Sequence, residues 1–261
     1  LGKALEESYP NTNAMSTKIS IITTTFNRKV YLQEQLQSIQ QTVLDPLKDI
    51  VIEQIVYDDG STDNTEDLFK NNRSTHIKYI KSAKNHGPAF GRNQALKEAQ
   101  GEYIFFLDSD DLILQRTFYN FLTLTIANHE TDIFIADFLR IDQDKRYMCG
   151  EDYFGWPFKN NYEVLQAIFK GQHYIQHSFL CKKSVIEAVG GYDETLHQAE
   201  DLDLYVRILL AGYSFQYCNF ISRLARIHTN NLSRSITTEI HAKDLKLIYN
   251  KYQSDLEKLK I

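Results

Sequence analysis

Tyr103-Ile104-Phe105-Phe106-Leu107-Asp108-Ser109-Asp110-Asp111 is an apolar run that stops abruptly at a polar tetrapeptide. A short apolar run bounded by polar residues suits a strand buried on both faces, as in a parallel sheet. The carboxylates beyond its end cannot join the sheet, and crowding makes them repel one another. A divalent cation would remove that repulsion and supply oxygen-seeking chemistry suited to phosphates. The tetrapeptide also reads as a plain loop in which Asp111 caps the next helix.

The same pattern recurs upstream. Ile19-Ser20-Ile21-Ile22-Thr23-Thr24 is rich in β-formers and is followed by Thr25-Phe26-Asn27-Arg28. Helical spacing at Leu32, Leu36 and Ile39 predicts a helix over 30–41. Residues 50–57 read as a strand, Asp58-Asp59-Gly60-Ser61 as a turn, and 64–70 as a helix capped by Asp63. A third strand is expected over 77–81 and a helix over 88–99, ended by Gly101. Strands that alternate with helices through short connections make a mostly parallel, layered sheet. Ligands of such sheets bind beyond the carboxyl ends of the strands. Three polar clusters fall at those ends, and together they point to a site where one alone would be a turn.

The second half is less regular. A strand is expected over 134–140, a long loop over 142–158, a helix over 162–169, a strand over 178–182 and a short helix over 183–189. A helix over 201–211 carries Leu204, Ile208 and Leu209 as its apolar stripe. From about Thr238 the chain suits one amphipathic helix with Ile240, Leu245, Ile248, Tyr252, Leu256 and Leu259. The expected organisation is a flexible lead-in over 1–17, one α/β domain over 18–235 with halves at 18–111 and 112–235, and a C-terminal helix over 236–261. That helix most simply packs on the domain; a homodimer contact or a peripheral membrane role is also compatible with it.

Composition narrows the function. Of 261 residues, 43% are hydrophobic and 24% charged, which is enough to bury a core without cross-links. Lys plus Arg number 29 against 34 Asp plus Glu, a net charge of -5, so no basic excess favours nucleic acid. A small anionic ligand would need local help from a metal or a few Arg residues. Cys149, Cys181 and Cys218 are far apart and form no Cys-x-x-Cys pair, which favours a reducing compartment over a structural zinc site. No apolar stretch approaches the roughly 20 residues that span a membrane, and the first residues lack the regions of a signal peptide. The chain starts at Leu1 and reads as a piece of a longer protein, whose missing part could carry an anchor or a second domain.

Four further segments carry chemistry, each beside a plainer reading. Asp58 could accept a hydrogen bond from a base or ribose, although Asp-Gly-Ser is common turn chemistry. Asn85-His86-Gly87-Pro88-Ala89-Phe90-Gly91-Arg92-Asn93 leads into a helix, and Arg92 could pair with a diphosphate or with an Asp of the 108–110 segment. Glu200-Asp201 opens a helix, where acids suit the dipole in any case; functionally, Asp201 could be a general base. His228, in Arg226-Ile227-His228, would complement two aspartates as a third metal ligand, although a lone His is more often structural.

Taken together, these segments resemble the inverting family 2 glycosyltransferases of the GT-A fold. Residues 19–28 are similar to the family's opening strand and base-binding turn, with Thr24 where Pro is usual. Val56-Tyr57-Asp58-Asp59-Gly60-Ser61-Thr62-Asp63 is similar to its second motif. Asn85 to Asn93 resembles the Asn-x-Gly and Ala-Arg-Asn region, with Gly91 in place of the frequent Ala. Asp108-Ser109-Asp110 resembles the metal-binding Asp-x-Asp, and Gly190-Gly191-Tyr192-Asp193-Glu194 followed by Glu200-Asp201 resembles the acceptor-side motif. The likeness runs over about 18–233.

The resemblance implies a Rossmann-like, mostly parallel central sheet flanked by helices, with a smaller acceptor-side region. It implies transfer of a sugar from a nucleoside-diphosphate sugar, UDP-linked, to a hydroxyl of a glycan or lipid-linked glycan, with inversion. Thr24, Phe26, Arg28 and Asp58 would hold the base, with Thr25 beside them in the donor site. Asn85, Gly87, Arg92, Asp108 and Ser109 would complete the donor site. Asp110 and His228, with Asp108 serving metal or ribose, would ligate Mn²⁺ or Mg²⁺. Asp201, with Glu200 beside it, would take the proton of the acceptor hydroxyl. Trp156, His177 and His197 are weaker acceptor-side candidates. The implied setting is bacterial surface-polysaccharide assembly in the cytoplasm, with room for a place at the inner face of the membrane. Two other classes remain. A nucleotidyltransferase would need a Gly-rich loop after the first strand, and 23–29 contains no Gly. A noncatalytic carbohydrate-binding module would bind without transfer.

Overall fold

The computed structural model describes residues 18–42, 50–70, 74–150, 158–170, 179–196, 199–229, 231 and 238–261. The lead-in over 1–17 lies outside them. Strand β1 (Lys18–Thr25) is followed by helix α1 (Lys29–Gln40), β2 (Val51–Asp58), β3 (Ile77–Lys81), α2 (Pro88–Glu98) and β4 (Tyr103–Phe106). β1 pairs in parallel with β2 on one side and β4 on the other, and β2 pairs in parallel with β3. β1 is therefore where the strand order reverses, and a crevice opens at its carboxyl end. Thr24 and Thr25 end β1, and the 108–111 segment leaves β4 beside them, tied by Leu107 N–H to the Ile22 carbonyl at 3.0 Å.

The second half adds β5 (Leu112–Ile113), α3 (Thr117–Ala127), β6 (Ile133–Ile141), α4 (Asn161–Phe169), β7 (Phe179–Lys182), α5 (Lys183–Ala188), α6 (Glu200–Leu210) and β8 (Phe215–Arg226). All eight described strands form one sheet in the order β3-β2-β1-β4-β7-β6-β8-β5. β7 is antiparallel to both β4 and β6 and so welds the two halves together. β8 runs parallel to β6 with a bulge near Asp137, and its far end delivers Arg226 and His228 to the crevice.

Strand alternation sends side chains to two cores. Ile22, Ile104 and Phe106 face α2, α4, α6 and the C-terminal helix α7 (Thr238–Lys258). Ile19, Ile21 and Phe105 face α3, where Phe105 meets Phe118 edge-on at 5.5 Å. α7 packs Ile248 and Leu256 into the first core with no exposure, which is the packing role its pattern allowed. Among the described residues no helix is long and apolar enough to cross a membrane.

Several sequence expectations change. The helix expected over 64–70 is a short 3-10 turn, Thr65–Leu68, entered through Asn64 at φ 61. Asp63 caps this turn, and its other oxygen accepts from Lys29 N–H at 2.9 Å, so it also caps α1. Asp111 caps no helix. The two-residue β5 follows it, and its carboxylate is buried against Arg223 and the Arg226 amide. α3, β5 and β8 were not anticipated.

Candidate active site

Asp110 sits at the centre of the crevice, almost fully buried. Its Oδ2 lies 2.5 Å from Arg28 Nη1, 2.8 Å from His228 Nε2 and 3.2 Å from Asn231 Nδ2. The strand ends explain this convergence: Arg28 follows β1, Asp110 follows β4 and His228 follows β8. Arg226 fixes the backbone beneath them. Its Nε donates to the Asp110 carbonyl at 2.8 Å, its Nη1 to the Gln143 carbonyl at 3.1 Å and its Nη2 to Glu34 at 2.6 Å. Tyr31 lies under the Arg226 guanidinium at 4.8 Å and beside the His228 ring at 4.8 Å. Asp108 is held differently. Gln35, fully buried on α1, donates to its carbonyl at 3.0 Å and to Thr23 Oγ1 at 3.0 Å.

Arg92 joins the two halves. Its Nη1 donates to Glu200 at 2.6 Å and its Nη2 to Asp108 at 3.2 Å, while its guanidinium lies 5.2 Å from the centre of the Tyr192 ring. Burial disfavours the Arg92 charge, but Tyr192, Glu200 and Asp108 outweigh it and hold the pKa above the ordinary arginine value. Asn93 beside it donates to the Tyr192 carbonyl at 2.9 Å and accepts from the Tyr192 amide at 2.8 Å. Asp201 is the next residue on α6, half-buried on its first turn, and one of its oxygens accepts from the Leu202 amide at 2.8 Å. Glu200 is buried and ion-paired, so of the two acids Asp201 is the less enclosed.

At the carboxyl end of β1, Phe26 is exposed and Thr24 half-buried, whereas Thr25 is buried in the strand end. Asp58 ends β2 beside them. It is fully buried, one oxygen accepts from Ser61 N–H at 2.8 Å, and the other accepts from the Tyr79 hydroxyl. Both contacts hold the turn that follows β2. Asp59 accepts from the amides of His86 at 3.0 Å and Gly87 at 2.8 Å, drawing the Asn85-His86-Gly87 loop to the same edge. Gly87 takes φ 93, a conformation that residues with a Cβ rarely adopt. Asn85 accepts from the Gly87 amide at 3.2 Å. Ser109 is buried between the two carboxylates. Trp156, His177 and His197 lie outside the described residues.

Among the described residues no group of three or more His, Cys, Asp or Glu side chains converges as a metal cage. The donor set present is one carboxylate and one imidazole in contact, Asp110 and His228, with Asp108 nearby. That set fits a Mg²⁺- or Mn²⁺-type ion, which takes one or two protein ligands and completes its shell with substrate phosphates and water. Sequence reading missed Tyr31, Glu34 and Gln35, and named Asn93 and Arg226 only within the motifs of Arg92 and His228, without a role. The only signal for Gln35 was a polar residue inside an otherwise apolar helical stripe.

Residues 20–190 match the model of the family described as Glycosyl transferase family 2. An uncharacterized glycosyltransferase of Methanocaldococcus jannaschii is 25% identical over 245 residues, covering 89% of this chain and 82% of the relative. A GalNAc(5)-diNAcBac-PP-undecaprenol β-1,3-glucosyltransferase of Campylobacter jejuni is 39% identical over 100 residues, covering 37% of this chain and 31% of that protein. The crystal structure of S. aureus TarS 1-349 in complex with UDP-GlcNAc superposes with a TM-score of 0.71 at 21% identity, covering 89% of this chain and 65% of that one. At that identity the likeness speaks for the fold, which is the layered α/β sheet described above.

Proposed function

Because the chain belongs to glycosyl transferase family 2, we propose that it moves a sugar from a UDP-sugar to a hydroxyl of a glycan or lipid-linked glycan, in a single displacement that inverts the anomeric centre. The observation that carries this reading is Arg92, which touches Asp108 of the donor edge and Glu200 of the acceptor helix at once. Donor and acceptor groups are thereby held within one side chain's span. The polysaccharide setting is supported by what two relatives act on: the undecaprenol-linked glycan of the C. jejuni enzyme and the poly(ribitol-phosphate) of S. aureus TarS.

Phe26 offers its exposed face to the base, beside Thr24 at the end of β1 and Asp58 at the end of β2. The Asn85–Gly87 loop and Arg28 approach the diphosphate. Asp110 and His228 would hold the divalent ion, which supplies charge neutralisation of the departing diphosphate. Asp108, fixed by Arg92 and Gln35, serves the ribose or the ion. Asp201 accepts the proton of the acceptor hydroxyl as its oxygen bonds to the anomeric carbon; the bond from that carbon to the diphosphate oxygen breaks, and the nucleoside diphosphate leaves with the electron pair. Glu200, neutralised by Arg92, keeps the first turn of α6 in place. The family assignment displaces a nucleotidyltransferase reading.

The test is transfer and donor binding with a panel of UDP- and GDP-sugars plus Mn²⁺. Asp110→Asn is expected to lose metal-dependent donor binding. Asp201→Asn is expected to bind donor normally and to lose transfer by on the order of a hundredfold or more. Normal turnover by Asp201→Asn removes it as the base, and metal-dependent donor binding without transfer to any acceptor favours a noncatalytic module.

A further inference from the structure

We propose that α7 is a clamp that positions the acceptor-side turn of α6, and that Lys251 and Tyr252 are its positioning residues. This inference rests on the reading of Asp201 above. Asp203, two residues beyond Asp201, is a fully buried carboxylate. It accepts from Arg207 Nε at 2.8 Å within α6, and from two α7 groups, Lys251 Nζ at 2.9 Å and the Tyr252 hydroxyl at 2.7 Å. Lys251 reaches a second carboxylate, Asp193, at 2.5 Å. Asp193 follows Tyr192, whose backbone is bonded by Asn93 and whose ring lies beside Arg92. One lysine thus ties α7 both to the helix that carries Asp201 and to the turn that supports Arg92. The helix departs from regular geometry at the point of contact: Tyr252 has φ -115 and ψ 15.

Adhesion of α7 does not require these groups. Ile248 and Leu256 are fully buried and already dock the helix. Lys251 is exposed, so its ion pairs contribute little net stability, yet the carboxylate that it and Tyr252 hold is fully buried, where each hydrogen bond fixes geometry tightly. Burial disfavours the Lys251 charge, and Asp193 and Asp203 more than compensate. A hub of this kind, on an element outside the residues that match the family, sets the rotation and depth of α6 more than it sets the affinity of α7. Asp203 lies one turn beyond Glu200, so a shift at the hub is passed to the Arg92 pair and to Asp201.

The test compares Lys251→Met, Tyr252→Phe and Lys251→Arg in the full chain, by hydrogen exchange and by steady-state kinetics. For the first two, exchange of the amides over 200–206 is expected to rise on the order of tenfold, the effect of losing one hydrogen bond to a buried carboxylate. kcat is expected to fall by a similar factor, with donor KM and the donor-induced thermal shift unchanged. Lys251→Arg is expected to restore part of both. Unchanged exchange over 200–206 together with unchanged kcat overturns the proposal and leaves α7 as packing alone. If Lys251→Met loosens the whole molecule, Tyr252→Phe decides on the same two readings, because it keeps the ring and removes only the hydroxyl. If the wild type transfers no sugar, the functional reading fails, while the exchange measurement still decides the clamp.

Discussion

A Cβ added at Gly91 would stand 2.8 Å from Thr24 Cγ2 and 2.9 Å from the Tyr57 ring. Gly91 and Thr24 are the two positions where the motifs depart from the family pattern, with Ala and Pro usual in their places, and in the fold they touch. Inside a helix, Gly→Ala should stabilise by about 1 kcal/mol. Crowding a packed contact costs about 1–3 kcal/mol, so the crowding term wins. Gly91→Ala is expected to lower stability by roughly 1 kcal/mol, the difference between those terms. In a Thr24→Ala background the cost should shrink, because one of the two close contacts is gone. Urea unfolding of both single variants and the double variant measures this coupling. Additive effects within error would mean that Tyr57 alone limits the site and that the two departures are unrelated.

At the scale of an element, α1 presents one face to the site: Tyr31 to His228 and Arg226, Glu34 to Arg226, and Gln35 to Asp108. Burial acts to raise the Glu34 pKa, but hydrogen bonds from Lys145 and Arg226 prevail and hold it below its ordinary value of 4.5. A carboxylate with a lowered folded pKa stabilises above the unfolded value, and that stabilisation is lost as pH falls through the folded one. The stability gap between wild type and Glu34→Gln should therefore be widest near neutral pH and should close as pH falls below about 4.5, the unfolded reference. Midpoints of thermal unfolding from pH 7 to pH 3 measure it; a gap independent of pH means the pair does not stabilise the fold. The first four strands were legible in the sequence because each is a short β-rich segment bounded by turn or loop residues and spaced from the next by a helix or turn. β8 was not, because Phe215–Arg226 mixes polar and apolar residues along twelve positions and finds its regularity only beside β6. α3 was equally hidden: Thr117–Ala127 is built from Thr, Phe, Tyr and Leu, which suit a strand as well as a helix. The candidate ligands Asp110 and His228 could be named from their chemistry. The residues that aim them, Arg226, Glu34 and Gln35, could not, since their partners lie up to 192 positions away.

For the whole molecule, the question is whether the two halves open together. β7 stands between β4 and β6 at the centre of the sheet and carries Cys181, while β8 near the far edge carries Cys218. Both thiols are buried, and desolvation raises their pKa values, Cys218 to about 12. Cys149 is exposed and serves as an internal control. A thiol reagent reaches Cys181 only when the first core opens beneath α5 and α6, and Cys218 only when the second core opens beneath α3, beside β8. The proposed donor site takes Asp108 and Asp110 from the end of β4 and His228 from the end of β8, so a bound donor resists both openings. At a donor concentration of about 100 Kd, mass action stabilises the closed form by about 2.7 kcal/mol, a roughly hundredfold slowing of labelling. UDP with Mn²⁺ is expected to slow Cys181 and Cys218 alike and to leave Cys149 unchanged. Slowing at Cys181 but not at Cys218 would show that the β8 edge opens independently, and that His228 is not engaged when the donor binds.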